Sequence, residues 1–137
     1  MSRADTFEGI HRSPDPALTE IRSAGTFGGI FASSSGGMYG EHRYRVTSPR
    51  HLENYALNYE IDGAWEAALD LCDGDESLAE AIMTPDCEVE GDADDGWNAQ
   101  RLRGLLAARL GYTSVEMRDE TGHAVLCLQG CTLQRID

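Results

Sequence analysis

Residues 95–128 read DGWNAQRLRGLLAARLGYTSVEMRDETGHAVLCL, and this stretch decides the fold class. Asp95 stands where it can cap a helix. Trp97, Leu102, Leu105, Leu106 and Leu110 then recur as an apolar stripe until Gly111 stops it. Beyond Gly111 the pattern becomes that of strands. Thr113 to Met117 and Ala124 to Leu128 are predicted strands, and Asp119-Glu120-Thr121-Gly122 reads as the hairpin turn between them. Thr132 to Ile136 is a candidate third strand.

Working back towards the N-terminus, the middle of the chain reads as helical and irregular. Leu78, Ala81 and Ile82 share a helical face that Asp75 caps and Pro85 ends; Trp65, Ala68, Leu69 and Cys72 share another, closed by Gly74. Tyr55, Leu57, Tyr59 and Ile61 alternate, yet Leu52, Tyr55 and Tyr59 also fit helical spacing, so both periods stay open there. The first fifty residues read as strand, helix, strand. Thr6 to Arg12 is a short mixed run, Asp15 and Pro16 open a helix bearing Leu18 and Ile21, and Phe27 to Ala32 is strand or strand-like loop. Ser33 to Gly37 is a flexible turn, after which Tyr44 and Val46 alternate with Arg43 and Arg45 as a half-buried strand. Strands at both ends with helices between them make the class α+β. With 137 residues, one domain spanning 1–137 is expected.

The charge is distributed in blocks. The formal net charge is −13, and every one of the 11 basic residues is Arg. Residues 51–100 hold fifteen acids and no Arg, net −15, while each flank is net +1. A surface this acidic repels phosphate, which argues against direct nucleic-acid binding. No apolar run approaches the roughly 18–20 residues of a membrane span, and a cytoplasmic location is expected. Cys72, Cys87, Cys127 and Cys131 lack zinc-ligand spacing, so no metal is expected and free thiols are the preferred reading. Oligomeric state is not legible.

Two polar clusters fall at predicted strand ends, where a sheet holds side chains rigidly at a rim. One is His11-Arg12-Ser13 with the following Gly25-Thr26-Phe27-Gly28-Gly29-Ile30-Phe31; the other is Asp119-Glu120. The opening segment resembles the nucleotide-binding half of the ADP-ribosyltransferase fold. Nearly the whole chain resembles the type I-F anti-CRISPR ADP-ribosyltransferase family. The resemblance is strongest over Tyr55-Ala56-Leu57-Asn58-Tyr59-Glu60-Ile61, over Asp95-Gly96-Trp97 with Gln100-Arg101-Leu102-Arg103-Gly104, and over Arg109 to Met117, which runs into Asp119-Glu120.

That resemblance implies a split β-sheet with a NAD cleft and a helical middle segment. It also implies an enzyme that moves ADP-ribose from NAD to the PAM-reading large subunit of the type I-F surveillance complex in a bacterial host cell. Asp119, or after it Glu120, would be the catalytic acid, since breaking the nicotinamide–ribose bond builds positive charge that a carboxylate stabilises. His11, Arg12, Ser13, Thr26, Phe27, Phe31 and Tyr39 would hold NAD: His11 on a ribose hydroxyl, the Arg12 backbone on the nicotinamide amide, Phe31 or Tyr39 against the ring. Phe31 fits a core position equally well. Arg12 stands where that fold often has Gly, and Thr121 and Gly122 separate His123 from the acidic pair. Two alternatives stay open. The chain is an acidic decoy that covers a DNA-binding surface without chemistry, or a transferase acting on another host protein.

Overall fold

An eleven-residue strand, His42–Leu52, organises the sheet. The computed structural model describes residues 5–13, 21, 29–33, 42–119 and 122–136, with Asp5, Asp119 and Gly122 described by backbone alone. In chain order the elements are β1 (Asp5–Ser13), β2 (Ile30–Ala32), β3 (His42–Leu52), α1 (Asn54–Tyr59), α2 (Ala64–Leu71), α3 (Glu76–Ile82), α4 (Ala93–Arg109), β4 (Ser114–Asp119), β5 (Gly122–Cys127) and β6 (Thr132–Arg135). Strands lie at both ends and helices between them, as the α+β reading expects. Among the described residues no helix is long and apolar enough to cross a membrane.

The six strands form a sheet of order β1-β3-β4-β5-β2, with β6 also on β3. The split is made on β3. Along one edge β3 pairs antiparallel with β1; along the other it pairs with β6 over Tyr44 to Thr47 and then, at His51 and Leu52, with β4 in parallel. Between these two stretches Pro49 and Arg50 stand opposite Thr6 alone, an extra residue that breaks the β1–β3 register. A proline has no N–H for the ladder, so a bulge is where a strand can hold one, and a bulge bends the strand. Arg50 then grips the incoming helix–strand turn. Its Nε donates to the Gly111 carbonyl at 2.7 Å, its guanidinium lies 4.9 Å from the centre of the Tyr112 ring, and its carbonyl accepts from Thr113 N at 2.8 Å. The order closes on itself through Ile10 and Ser33, whose backbone groups exchange hydrogen bonds of 2.8 and 3.1 Å between β1 and β2.

Apolar side chains fill both faces. Leu52, Leu57, Ala68, Leu102, Leu106, Val115, Met117 and Leu126 build the larger core under the helices. Val46, Val125 and Cys127 join Ile21 and Ala32 in the smaller one. Strand β5 supplies both, because its side chains alternate between faces. Gly29 lets β2 come close to β5: a Cβ there would collide with the Cys127 carbonyl.

Two sequence expectations are corrected. Asp92, not Asp95, caps α4. Asp92 Oδ1 accepts from Asp95 N at 3.2 Å while Asp95 Oδ2 accepts from Asp92 N at 3.1 Å, a reciprocal capping box. The α4 stripe is also rotated, with Trp97 and Leu105 exposed and Ala99, Leu102, Arg103, Leu106 and Ala107 buried. The strand expected from Thr6 runs to Ser13, and the strand of Tyr44 and Val46 extends to Leu52. The open choice between the two periods is settled as helix from Asn54 to Tyr59, after a strand that ends at Leu52: Leu57 is buried, Tyr55 and Tyr59 are exposed.

Candidate active site

Strand β1 ends in the first polar cluster, with His11 level with Tyr44, Arg12 with Arg43 and Ser13 with His42. The His11 ring is turned towards β2, where its Nδ1 lies 2.6 Å from the Phe31 carbonyl oxygen. A carbonyl only accepts, so Nδ1 carries the hydrogen and donates. In the neutral ring Nε2 is then the acceptor. Burial holds the His11 pKa below its ordinary value, against the opposing pull of the Phe31 carbonyl. The imidazole at neutral pH is therefore uncharged and of fixed tautomer, suited to accept a hydrogen bond from a hydroxyl. Ser13 is buried beside it in sequence, and Arg12 is half-buried.

Asp119 ends β4 opposite Gly122, the first residue of β5. Phe31 and Val115 both pair with Leu126 and so stand at one level of the sheet. Asp119 lies four residues further along β4, about 13 Å at the usual rise of a strand. The structure thus joins His11 to Phe31 directly and sets Asp119 on a wall that reaches Phe31 through β5. Thr26, Phe27, Tyr39 and Glu120 lie outside the described residues, as does the side chain of Asp119.

What holds β4 in place was not read from the sequence. Arg103 is fully buried in α4. Its Nε donates to the Glu116 carbonyl at 3.0 Å, one terminal nitrogen to the Ile82 carbonyl at 2.8 Å, and the other to Asn54 Oδ1 at 3.1 Å. Burial lowers its pKa to about 10, so it stays charged at neutral pH. Glu116 Oε1 in turn accepts from Asn54 N at 3.2 Å, and Arg118 N donates to the Pro85 carbonyl at 2.9 Å. One guanidinium therefore ties α1, α3 and α4 to the strand that ends in Asp119. The available signal was spacing: Arg103 sits four residues from both Ala99 and Ala107, on the face that small residues mark as closely packed.

A second polar chain crosses the β3–β4 junction. His51 Nδ1 lies 2.8 Å from Ser114 Oγ, Ser114 Oγ 2.6 Å from Ser48 Oγ, and Ser48 Oγ 2.7 Å from Thr113 Oγ1. These groups satisfy one another in the interior and hold the junction where the sheet splits.

Comparisons with known proteins bear on both strands. A crystal structure of an anti-CRISPR protein superposes with a TM-score of 0.86 at 51% identity, covering 96% of each chain. No curated protein matches. The family model for "Anti-CRISPR Type I-F ADP-ribosyltransferase AcrIF11" matches residues 5–134, which take in β1 with His11 and β4 with Asp119. Over a match of that extent, the chain belongs to the anti-CRISPR type I-F ADP-ribosyltransferase family AcrIF11.

Proposed function

We propose that this transferase uses NAD to modify the PAM-reading large subunit of the type I-F surveillance complex, and so stops it from recognising target DNA. Family membership makes ADP-ribosyl transfer the activity and implies NAD as donor. The observation that carries the residue assignment is the neutral, fixed-tautomer His11 held on the Phe31 carbonyl at 2.6 Å. NAD supplies the ADP-ribosyl group through its nicotinamide–ribose bond, which breaks with positive charge developing on the ribose carbon.

This chain's residues have three tasks in that reading. His11 Nε2 accepts a hydrogen bond from a ribose hydroxyl. The backbone of Arg12 offers one donor and one acceptor to the carboxamide, with Ser13, Thr26, Phe27, and Phe31 or Tyr39 along the rest of the dinucleotide. Asp119, or Glu120 next to it, places a carboxylate against the developing charge and takes the proton that the acceptor side chain loses. Recognition of foreign DNA begins with protein contacts to the PAM, so one bulky anionic group there blocks the first step.

Incubating the protein with labelled NAD and purified type I-F complex, then measuring intact masses, tests chemistry and target together. One ADP-ribose added to the large subunit is the expected result, lost in Asp119→Ala at an unchanged unfolding midpoint. A fully active Asp119→Ala moves the role to Glu120, and label on another subunit overturns the target. The acidic block favours one rival reading, a decoy that inhibits stoichiometrically. Inhibition that persists without NAD would select it.

A further inference from the structure

Helix α1 presents an aromatic pair to solvent. Tyr55 and Tyr59 are 65% and 77% exposed, the highest values among the exposed large hydrophobics of the described residues, and their ring centres lie 5.0 Å apart. Four residues apart on a helix, they share one face. The opposite side of α1 is pinned. Leu57 is buried, Asn58 Nδ2 donates to the Met83 carbonyl at 2.9 Å, and Asn54 receives the Arg103 guanidinium. The tyrosines are thus held on an anchored support, at low entropy cost to a partner.

Charge says what kind of partner. Glu60, Asp62 and Glu66 follow the pair directly and are exposed, inside a fifty-residue block with fifteen acids and no Arg or Lys. Within this block Asp70 pairs with Arg109 and Asp86 with Arg118. Position says why it would matter. Asn54 N is bonded to Glu116 Oε1, so α1 abuts β4 three residues before Asp119.

We propose that the Tyr55–Tyr59 pair, with Glu60, Asp62 and Glu66 beside it, is the docking surface for an Arg- and Lys-lined face of the acceptor protein. The tyrosines supply apolar contact and stack on guanidinium groups, and the acids steer the encounter. The proposal rests on the reading that the acceptor is a DNA-binding subunit of the type I-F complex. A protein seated on α1 is brought to the edge of the sheet where β4 ends.

The test compares wild type, Tyr55→Ala/Tyr59→Ala and Glu60→Arg/Asp62→Arg, each with purified type I-F complex. Binding affinity at low and physiological salt and the kinetics of ADP-ribose transfer are measured. Both variants are expected to bind about tenfold or more weakly and to raise KM for the complex, with kcat at saturating complex kept. Wild-type binding is expected to weaken with salt, and the charge-reversed variant to lose most of that dependence. Wild-type affinity and KM in both variants overturn the docking surface while transfer by wild type leaves the functional reading intact. Binding lost in the variants, with no transfer by wild type, overturns the chemistry and keeps the surface. Failure of wild type to bind the complex overturns the partner.

Discussion

His11 donates its Nδ1 hydrogen to the Phe31 carbonyl across 2.6 Å, so a ring carried by β1 is oriented by the backbone of β2. In the proposed site this bond sets which nitrogen meets NAD. His11→Ala removes the acceptor and the orienting bond together. A single hydrogen bond contributes about 1 kcal/mol to stability, so the fold should survive. The KM for NAD should rise about tenfold, equivalent to roughly 1.4 kcal/mol, with a smaller change in kcat. An unchanged KM at normal stability would remove His11 from the NAD site.

The same residue sets a pH dependence. Burial lowers the folded-state pKa of His11 below 6.5. Between the folded value and 6.5 the unfolded chain binds more protons, so stability falls as pH falls through that window. The contribution is fully present above 6.5 and lost below the folded pKa. Urea unfolding from pH 7.5 downward should show this decline in wild type and a shallower one in His11→Gln. NAD affinity should follow the same limb, because protonation takes away the acceptor. An identical slope in the variant would assign the decline to the carboxylates.

Arg103 is expected to be the most costly single residue to replace in the helical half. Among the described residues, no buried side-chain N or O atom lacks a partner. Removing this guanidinium leaves the Glu116 and Ile82 carbonyls without that donor and takes from Asn54 Oδ1 one of its two, the other being Asn58 Nδ2. Each buried acceptor so exposed costs about 1–3 kcal/mol, giving about 3 kcal/mol or more for Arg103→Met. Arg103→Lys keeps the charge, but one ammonium does not span three separated acceptors, and about 1–2 kcal/mol should still be lost. Chemical denaturation of the three proteins measures this; a Met variant within 1 kcal/mol of wild type would show that the network adds little.

These partners explain what the sequence did and did not reveal. The hairpin bearing Asp119, the Asp75 cap on Leu78 N, and the glycine stops at Gly74 and Gly111 are local features, legible from spacing and turn chemistry. The α4 stripe differs from the expected one because hydrophobic periodicity ranks a leucine above an arginine for the core, whereas Leu105 is exposed and Arg103 is buried. Its burial is stabilised by acceptors 13, 21 and 49 residues away, which no window on the helix contains. The bond from His11 to Phe31 has the same character. Residue types suggested both as site members, yet only the closing of β2 onto β1 at Ile10 and Ser33 brings the ring to that carbonyl.

The four thiols should separate cleanly by reactivity, because burial treats them differently. All four are free. Cys87 is buried and its pKa is pushed up to about 11 by desolvation; burial also raises Cys72, and Cys127 is raised by its hydrogen bond to Cys131 and by burial. Cys131 is half-buried, and hydrogen bonds with Cys127, Ser48, the Leu128 backbone and Thr113 outweigh burial to bring its pKa down. A competing contact, 3.0 Å from its sulfur to the Thr113 carbonyl, favours the protonated thiol. These four groups act on the thiolate together, so a lowered pKa is the direction expected. Thiolate is the reactive form. Iodoacetamide at pH 7.5 should therefore add first and once, at Cys131, with the other three protected until denaturant is added. Peptide mapping after brief exposure identifies the site, and Cys131→Ser should abolish the early addition. First labelling at Cys72 or Cys87 would mean that local opening, not thiol acidity, controls access.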